Sequence, residues 1–506
     1  MENNMMSGSN ESNAVAVQYN ESEKPDYTRS EVILSVFVMI AAFCFVRYVL
    51  FSFMGFITTG LFIAVISAAI IYMKKKECEF SGFNKLLAAV LYIFSAVFSI
   101  TANDLVKNLD AVFLIGAGAY FIYSVGASNK NIDRFLPYAM CKALFEYPIS
   151  HLGIQGKITA DAAANSKKGS NAKYIFIGLL LTIPLTAVVA ALLMSADDGL
   201  ERMLSGFTND IFSGDFWEML LQLIIAIPCS MYLFGMFYAN SHRNELNALN
   251  EQSCTQKIYN MRFLSNIAVY TAVTPICILY VLFFISQASY FLSAFTGSLP
   301  DGFTYADYAR RGFFELFAVA LINLGVTCFM SLFSKKAGKE KPFALKFYSI
   351  MLSVFTIILI ATAMSKMIMY INRYGLTVLR FYTSWFMILL AVIFVLIIVK
   401  QFRYDMKLSR DISAVFVLMF GLLCFCRPEA VIAKYNIEMY KSGCLDELDK
   451  KTLLSMSDDA VLTAYNEAVV TADEIRIYRS DKIYKGFGDP LRKYNLSSVI
   501  LDAKMD

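Results

Sequence analysis

Most of this chain shows neither the two-residue alternation of a half-buried strand nor the single apolar stripe of a helix with one wet face. Instead, apolar residues fill whole runs near 32–51, 55–73, 86–101, 111–125, 174–195, 219–238, 265–291, 314–334, 343–364, 384–399 and 412–426. A helix that is apolar all round must be buried on every side or lie in lipid. About 20 such residues, rising 1.5 Å each, match a hydrocarbon core about 30 Å thick. The pattern predicts an all-α integral membrane helical bundle of about eleven transmembrane helices. The shortest runs need flanking residues or snorkelling side chains to complete a crossing.

Polar segments between the runs set the expected topology. Basic residues concentrate in alternate short loops, as Lys74-Lys75-Lys76, Lys335-Lys336-Lys339-Lys341 and Lys400-Arg403-Lys407-Arg410. Cytoplasmic loops carry such an excess, so the N-terminus is expected inside and, with an odd number of spans, the C-terminus outside. Residues 1–31 read as a disordered cytoplasmic tail, since no basic region runs into a short apolar core with a cleavage site. The membrane domain covers 32–426. Its long cytoplasmic loop, 126–173, reads as an interfacial helix packed on the bundle, followed from about Ala160 by a flexible linker; a charged sensor of anionic headgroups is the alternative.

Composition agrees with this class. Apolar residues make up 57% and charged residues 17% of the 506, against roughly 45–50% and about 25% in soluble domains. A net charge of +4 gives no reason to expect a nucleic-acid partner. Two histidines and ten cysteines without a CxxC pair exclude a histidine-rich metal centre and argue for small core residues. Walker A and HExxH motifs are missing from the sequence, so no ATP motor and no cofactor are expected.

Beyond Cys426 the composition becomes mixed in charge, and 427–506 reads as an extracytoplasmic, mainly helical appendage. In RPEAVIAKYNIEMYKSG, Pro428 suits a first helical position, Val431, Tyr435 and Met439 recur every four residues, and Gly443 suits a C-cap. Ser457-Asp458-Asp459 resembles another helix start, whereas GFGDPLRKYNLSSV offers turn residues without an amphipathic period.

Candidate chemistry lies where charges meet apolar runs, because burying charge costs several kcal/mol unless partners or water offset it. Asp307, Arg310, Arg311 and Glu315 stand at the mouth of one span, with Asn323 two turns further in. Arg311 and Glu315, four apart, share a helix face, so a positioning ion pair competes there with ligand recognition. Lys366, Tyr370, Arg373, Thr377 and Arg380 recur at intervals of four and three, one polar stripe if the segment is helical, unless Gly375 breaks it. Three positive charges on the expected outer side suit an anionic solute or lipid headgroup, with a membrane anchor or contact with the acidic C-terminal region as the competing reading.

YADYARRGFFELFAVALINL, YINRYGLTVLR and RPEAVIAKYNIEMY occur in that order. Together they resemble a bacterial multipass membrane family catalogued as domains of unknown function 4153 and 4173, over roughly Ala190 to Asp459. The first block maps onto Tyr305–Leu324, the second onto Tyr370–Arg380 and the third onto Arg427–Tyr440, with Pro428, Glu429, Lys434, Tyr435 and Asn436 as its candidate motif. Relatives commonly carry Asn-Pro-Asp or Asn-Pro-Glu and then Ala-Arg-Tyr-Asn; this chain has Arg427-Pro428-Glu429 and Ala433-Lys434-Tyr435-Asn436. The resemblance implies a bacterial cell membrane location and no particular activity.

Three functions are therefore expected in order. The first is a non-ATP-driven transporter or lipid-handling protein with membrane lipids around it. The second is a membrane sensor or scaffold whose C-terminal region binds an extracytoplasmic protein. The third is an enzyme acting on a lipid-linked phosphate, with Glu315 as base and Arg311, Arg373 and Arg380 holding the phosphate.

Overall fold

The computed structural model of the chain describes residues 27–127, 132, 136–164, 189, 214–242, 266–296, 305–333, 342–403, 405–483 and 494–505. Every regular element among them is helical, which lets each segment pair its own backbone groups inside hydrocarbon. The first group comprises α1 (Arg29–Phe45, prolonged by a π-helical turn, Val46–Leu50), α2 (Phe56–Lys75), α3 (Gly82–Ser95), the short α4 (Val97–Ile100) and α5 (Asp104–Gly126). The pieces α6 (Leu136–Cys141), α7 (Tyr147–Ser150) and α8 (Ile154–Ala164) follow, then α9 (Gly214–Ser241), α10 (Asn266–Thr296), α11 (Tyr305–Phe333), α12 (Phe343–Tyr374), α13 (Val378–Phe402) and α14 (Leu408–Phe425). Five shorter helices close the chain: α15 (Pro428–Lys441), α16 (Lys450–Ser455), α17 (Asp458–Asn466), α18 (Ala472–Ile483) and α19 (Leu496–Met505).

Eight helical stretches among the described residues are long and apolar enough to cross a membrane, and each coincides with an expected run. Two further runs appear as shorter apolar segments, Tyr270–Ser286 and Glu315–Ser331. Apart from Val189, the run at 174–195 lies outside the described residues, as does most of the N-terminal tail. Several ends differ from expectation. The first helix starts at Arg29 because Glu31 accepts a 2.8 Å hydrogen bond from the Thr28 N–H, satisfying a donor that would otherwise be orphaned. Helix α12 runs to Tyr374 rather than 364, and α13 starts at Val378 rather than 384. Helix α8 includes 160–164, part of the expected linker. Its Gln155 amide donates to the Ser35 carbonyl at 3.2 Å and the Ser230 hydroxyl at 2.8 Å, so this segment docks against α1 and α9.

Two separate apolar cores hold the membrane helices. The first joins α1 to α5, α9 and the end of α14 through Val38, Met73, Leu91, Phe98, Phe121, Phe237 and Phe420. Phe94 stacks on Phe420 with ring centres 5.7 Å apart. Gly126 lies so close to the Asn240 backbone carbonyl that a Cβ would collide with it, which lets α5 approach α9. The second core joins α10 to α13 through Leu316, Ala320, Leu352, Ala363, Met387 and Phe394. Helix α13 belongs to both: Phe381, Tyr382 and Trp385 pack on the first core, whereas Leu390 and Phe394 lie in the second.

The C-terminal helices have a third core of Ala433, Ile437, Leu453, Ala460, Val461, Ile475 and Leu501. Helix α15 starts and stops as expected, with Pro428 opening it and Gly443 following it at φ +74°, but its buried face is Ile432, Ala433 and Ile437 rather than the row of Val431, Tyr435 and Met439. Helix α19 was not expected, since its local sequence carries turn residues. Asn495 initiates it by accepting from the Ser497 and Ser498 N–H groups, each at 3.1 Å. The cysteines are less uniformly internal than their setting in the sequence implies, with Cys277 and Cys424 buried but Cys141, Cys328 and Cys444 exposed.

Candidate functional site

Helix α11 carries the first group of candidate residues. The side chains of Asp307, Arg310 and Arg311 lie outside the described residues. Glu315, one turn on, is exposed on the protein surface and in electrostatic contact with the half-buried Lys366 of α12. The structure thus adds a cross-helix partner to the intrahelical pairing expected with Arg311. Opposite charges inside a span offset part of each other's dehydration. Deeper in the same helices, buried Asn323 accepts from the Tyr280 hydroxyl at 2.6 Å and donates to Thr356 at 2.8 Å. That network ties α10, α11 and α12 with side-chain hydrogen bonds, a common means of registering helices in lipid.

The expected stripe from Lys366 to Arg380 does not form one helix. Gly375 ends α12 with φ +76°, a left-handed conformation that glycine adopts without the Cβ penalty. Thr377 then caps α13. Arg380 nevertheless returns to Tyr370 across the turn: its guanidinium sits 3.9 Å from the ring centre and donates to the Tyr374 and Gly375 carbonyls. It thereby satisfies carbonyls orphaned at the end of α12 and gains a cation–π contact. Arg373 stays exposed on α12. Lys366 and Arg373 share one helix, seven residues apart, while Arg380 is engaged at the turn.

The third block clamps that turn. Asn436 of α15 accepts from the Leu376 N–H at 2.7 Å and donates to the Leu376 carbonyl at 2.8 Å, supplying both backbone groups that neither helix can pair. Tyr435 donates to Asn372 at 3.4 Å, and Glu429 accepts from the Ser457 N–H at 2.6 Å. Pro428 is buried at the first turn, whereas exposed Lys434 pairs with Glu438 at 3.9 Å.

Asp459, noted in the sequence only as part of a helix start, holds the C-terminal helices to the other core. Its carboxylate is fully buried. One oxygen accepts from the Thr101 hydroxyl at 2.5 Å and the Ala102 N–H at 2.8 Å, in the α4–α5 turn. The other accepts from Ser497 at 2.5 Å and from Arg427 at 2.9 and 2.8 Å. Arg427 reaches this position with φ +53°. A further tie runs from the Phe56 N–H to the Tyr494 carbonyl at 3.1 Å. The C-terminal unit therefore spans the ends of both membrane cores, through Asn436 on one side and Asp459 on the other.

A second residue missing from the expected sites is Asp110, fully buried in α5. The apolar run at 111–125 begins just after it. Counting about 20 residues back from Gly126, the length of a crossing, would have placed it inside the membrane. Among the described residues, no group of three potential metal-ligating side chains converges.

Residues 86–467 match the family described as a domain of unknown function, DUF4153, so the match begins well before the expected Ala190 and runs from α3 through α17. No curated protein and no solved structure matches the chain. With most of its length in that match, and its helices long and apolar enough to cross a bilayer, the chain belongs to the DUF4153 family of membrane proteins.

Proposed function

We propose that this protein is a non-ATP-driven transporter for an anionic solute, with its N-terminus inside and its C-terminal unit capping the outer end. The observation that carries the reading is the Glu315–Lys366 contact between α11 and α12, because ionisable groups within spans mark solute and ion paths. Two cores joined through α13 are an arrangement in which one helix group can rock against another. The orientation is supported by the C-terminal unit meeting the start of α2, the α4–α5 turn and the α12–α13 turn, while Lys74 to Lys76 and Lys400 lie at the opposite helix ends.

The test is uptake by proteoliposomes holding the full chain, with a defined mixture of small carboxylates and phosphates outside and ion gradients imposed. Accumulation about tenfold above protein-free vesicles, lost in Glu315→Gln and Lys366→Met, is the expected result. Equal accumulation with and without protein overturns the proposal. A sensor or scaffold binding an envelope protein is the second reading, favoured by the separate core of the C-terminal unit; removal of 427–506 would then abolish partner capture and leave uptake unchanged.

A further inference from the structure

Beneath the C-terminal unit, both carboxylate oxygens of Asp110 are closed off from solvent without a hydrogen-bond partner, while two turns away the buried Asn103 amide and Tyr382 hydroxyl meet each other. Native interiors pair nearly all buried polar atoms, so a carboxylate with both oxygens unpaired requires an explanation. The surrounding groups come from different elements. Asn103 is the N-cap of α5, holding the Val106 N–H at 2.9 Å with its oxygen, and Asp110 lies two turns further along. Tyr382 of α13 neighbours Asn103, Glu429, Cys426 and Cys424. Cys424, near the end of α14, neighbours Asp110. Electrostatic interactions thus link Glu429, at the edge of the C-terminal unit, to Tyr382, Tyr382 to Cys424, and Cys424 to a carboxylate inside the bundle.

A carboxylate in such a place needs a positive counter-charge. The amine on its own helix, Lys107, is directed to the Met54 carbonyl at 2.6 Å. The other titratable groups so linked are the Cys424 and Cys426 thiols, the Tyr382 phenol and the Glu429 carboxyl, and none of these brings a positive charge. A divalent metal would bring one positive charge more than this single carboxylate balances. A single positive charge fits the donor set.

We propose that Asp110 is the binding site for a small monovalent cation, a proton or a sodium ion, which enters from beneath the C-terminal unit past Glu429 and Tyr382. This deepens the transport reading and rests on it for its purpose, the coupling of solute movement to an ion gradient. Its test needs no solute, so the two readings fail separately.

The full chain in lipid nanodiscs is treated with a hydrophobic carbodiimide, which activates a carboxyl group as its acid, and labelled peptides are quantified by mass spectrometry. From about pH 5 to about pH 9, labelling at Asp110 falls about tenfold per unit over part of the range if a proton is the ligand, with no effect of sodium. If sodium is the ligand, a concentration 100-fold above its dissociation constant leaves about 1% of sites free and lowers labelling about 100-fold. Tyr382→Phe, which keeps the ring, slows labelling at Asp110 in either case. No label at Asp110 at any pH in folded protein overturns the proposal, as does labelling indifferent to both pH and sodium. Because the modified residue is read directly in wild type and in Tyr382→Phe, the test holds even if Asp110→Asn fails to fold.

Discussion

Asp459→Asn keeps the shape of the side chain at the junction and removes its charge. The wild-type carboxylate offers only acceptors, and every group around it is a donor: the Thr101 hydroxyl and Ala102 N–H on one oxygen, and Arg427 and Ser497 on the other. An amide has one oxygen and one NH2 group, so in either orientation its nitrogen faces an obligate donor, the Ala102 N–H or the Arg427 guanidinium, while the hydroxyl on that side must turn to accept. Hydrogen bonds to a charged group contribute about 1.5–3 kcal/mol each, and breaking a buried ion pair from one side costs about 3–5 kcal/mol. Asp459 is fully buried and Arg427 is 29% exposed, which places the loss near the lower half of that range, about 3–4 kcal/mol. The assay is hydrogen exchange of the full chain in nanodiscs. Amides of α17 and α19, together with Ala102, should exchange about 100- to 1,000-fold faster, since about 1.4 kcal/mol is a factor of ten. Protection within about threefold of wild type would refute the argument that this carboxylate latches the unit.

At the other side of the junction, Gly375→Ala should cost about 1–3 kcal/mol from the positive-φ extended backbone alone, and more because its Cβ would lie 2.7 Å from the Asn436 oxygen; faster exchange at Leu376 reports it. Asn436→Leu loses both bonds to Leu376 and should lower thermal stability by about 1–3 kcal/mol, with an unchanged melting temperature as the contrary result. Asn323→Leu strands the Tyr280 and Thr356 hydroxyls, at about 0.6–1.7 kcal/mol per bond in lipid, measurable by denaturant titration in detergent. Acid should loosen the C-terminal unit. The Thr452 hydroxyl and N–H hold Asp449 below its usual range, the Thr471 N–H and hydroxyl do so for Glu474, and Lys441 does so for Glu467. Groups with depressed folded values stabilise fully above their unfolded values, about 3.9 for Asp and 4.3 for Glu, and lose that contribution as pH falls through the folded ones. Exchange in α15 to α18 should therefore rise below about pH 4.

Membrane class and span positions were legible because a bilayer demands long, wholly apolar helices, and no other part of the sequence mimics that pattern. The Pro428 start and Gly443 stop of α15 were equally local, since proline fixes φ and glycine admits a positive one. Span ends were less legible where charge enters a helix: Lys366 and Arg373 lie within α12, although a hydrophobic count stops before them. The stripe from Lys366 to Arg380 turned on Gly375, whose backbone angle ends one helix and whose small size admits Asn436. That second condition belongs to a residue 61 positions away and leaves no periodic trace. The junction is of the same kind. Thr101, Arg427, Asp459 and Ser497 are unremarkable polar residues in their own segments, and only packing brings their donors onto one buried carboxylate. Periodicity records which solvent each stretch of chain prefers; which distant polar atoms must satisfy one another is decided when the helices meet.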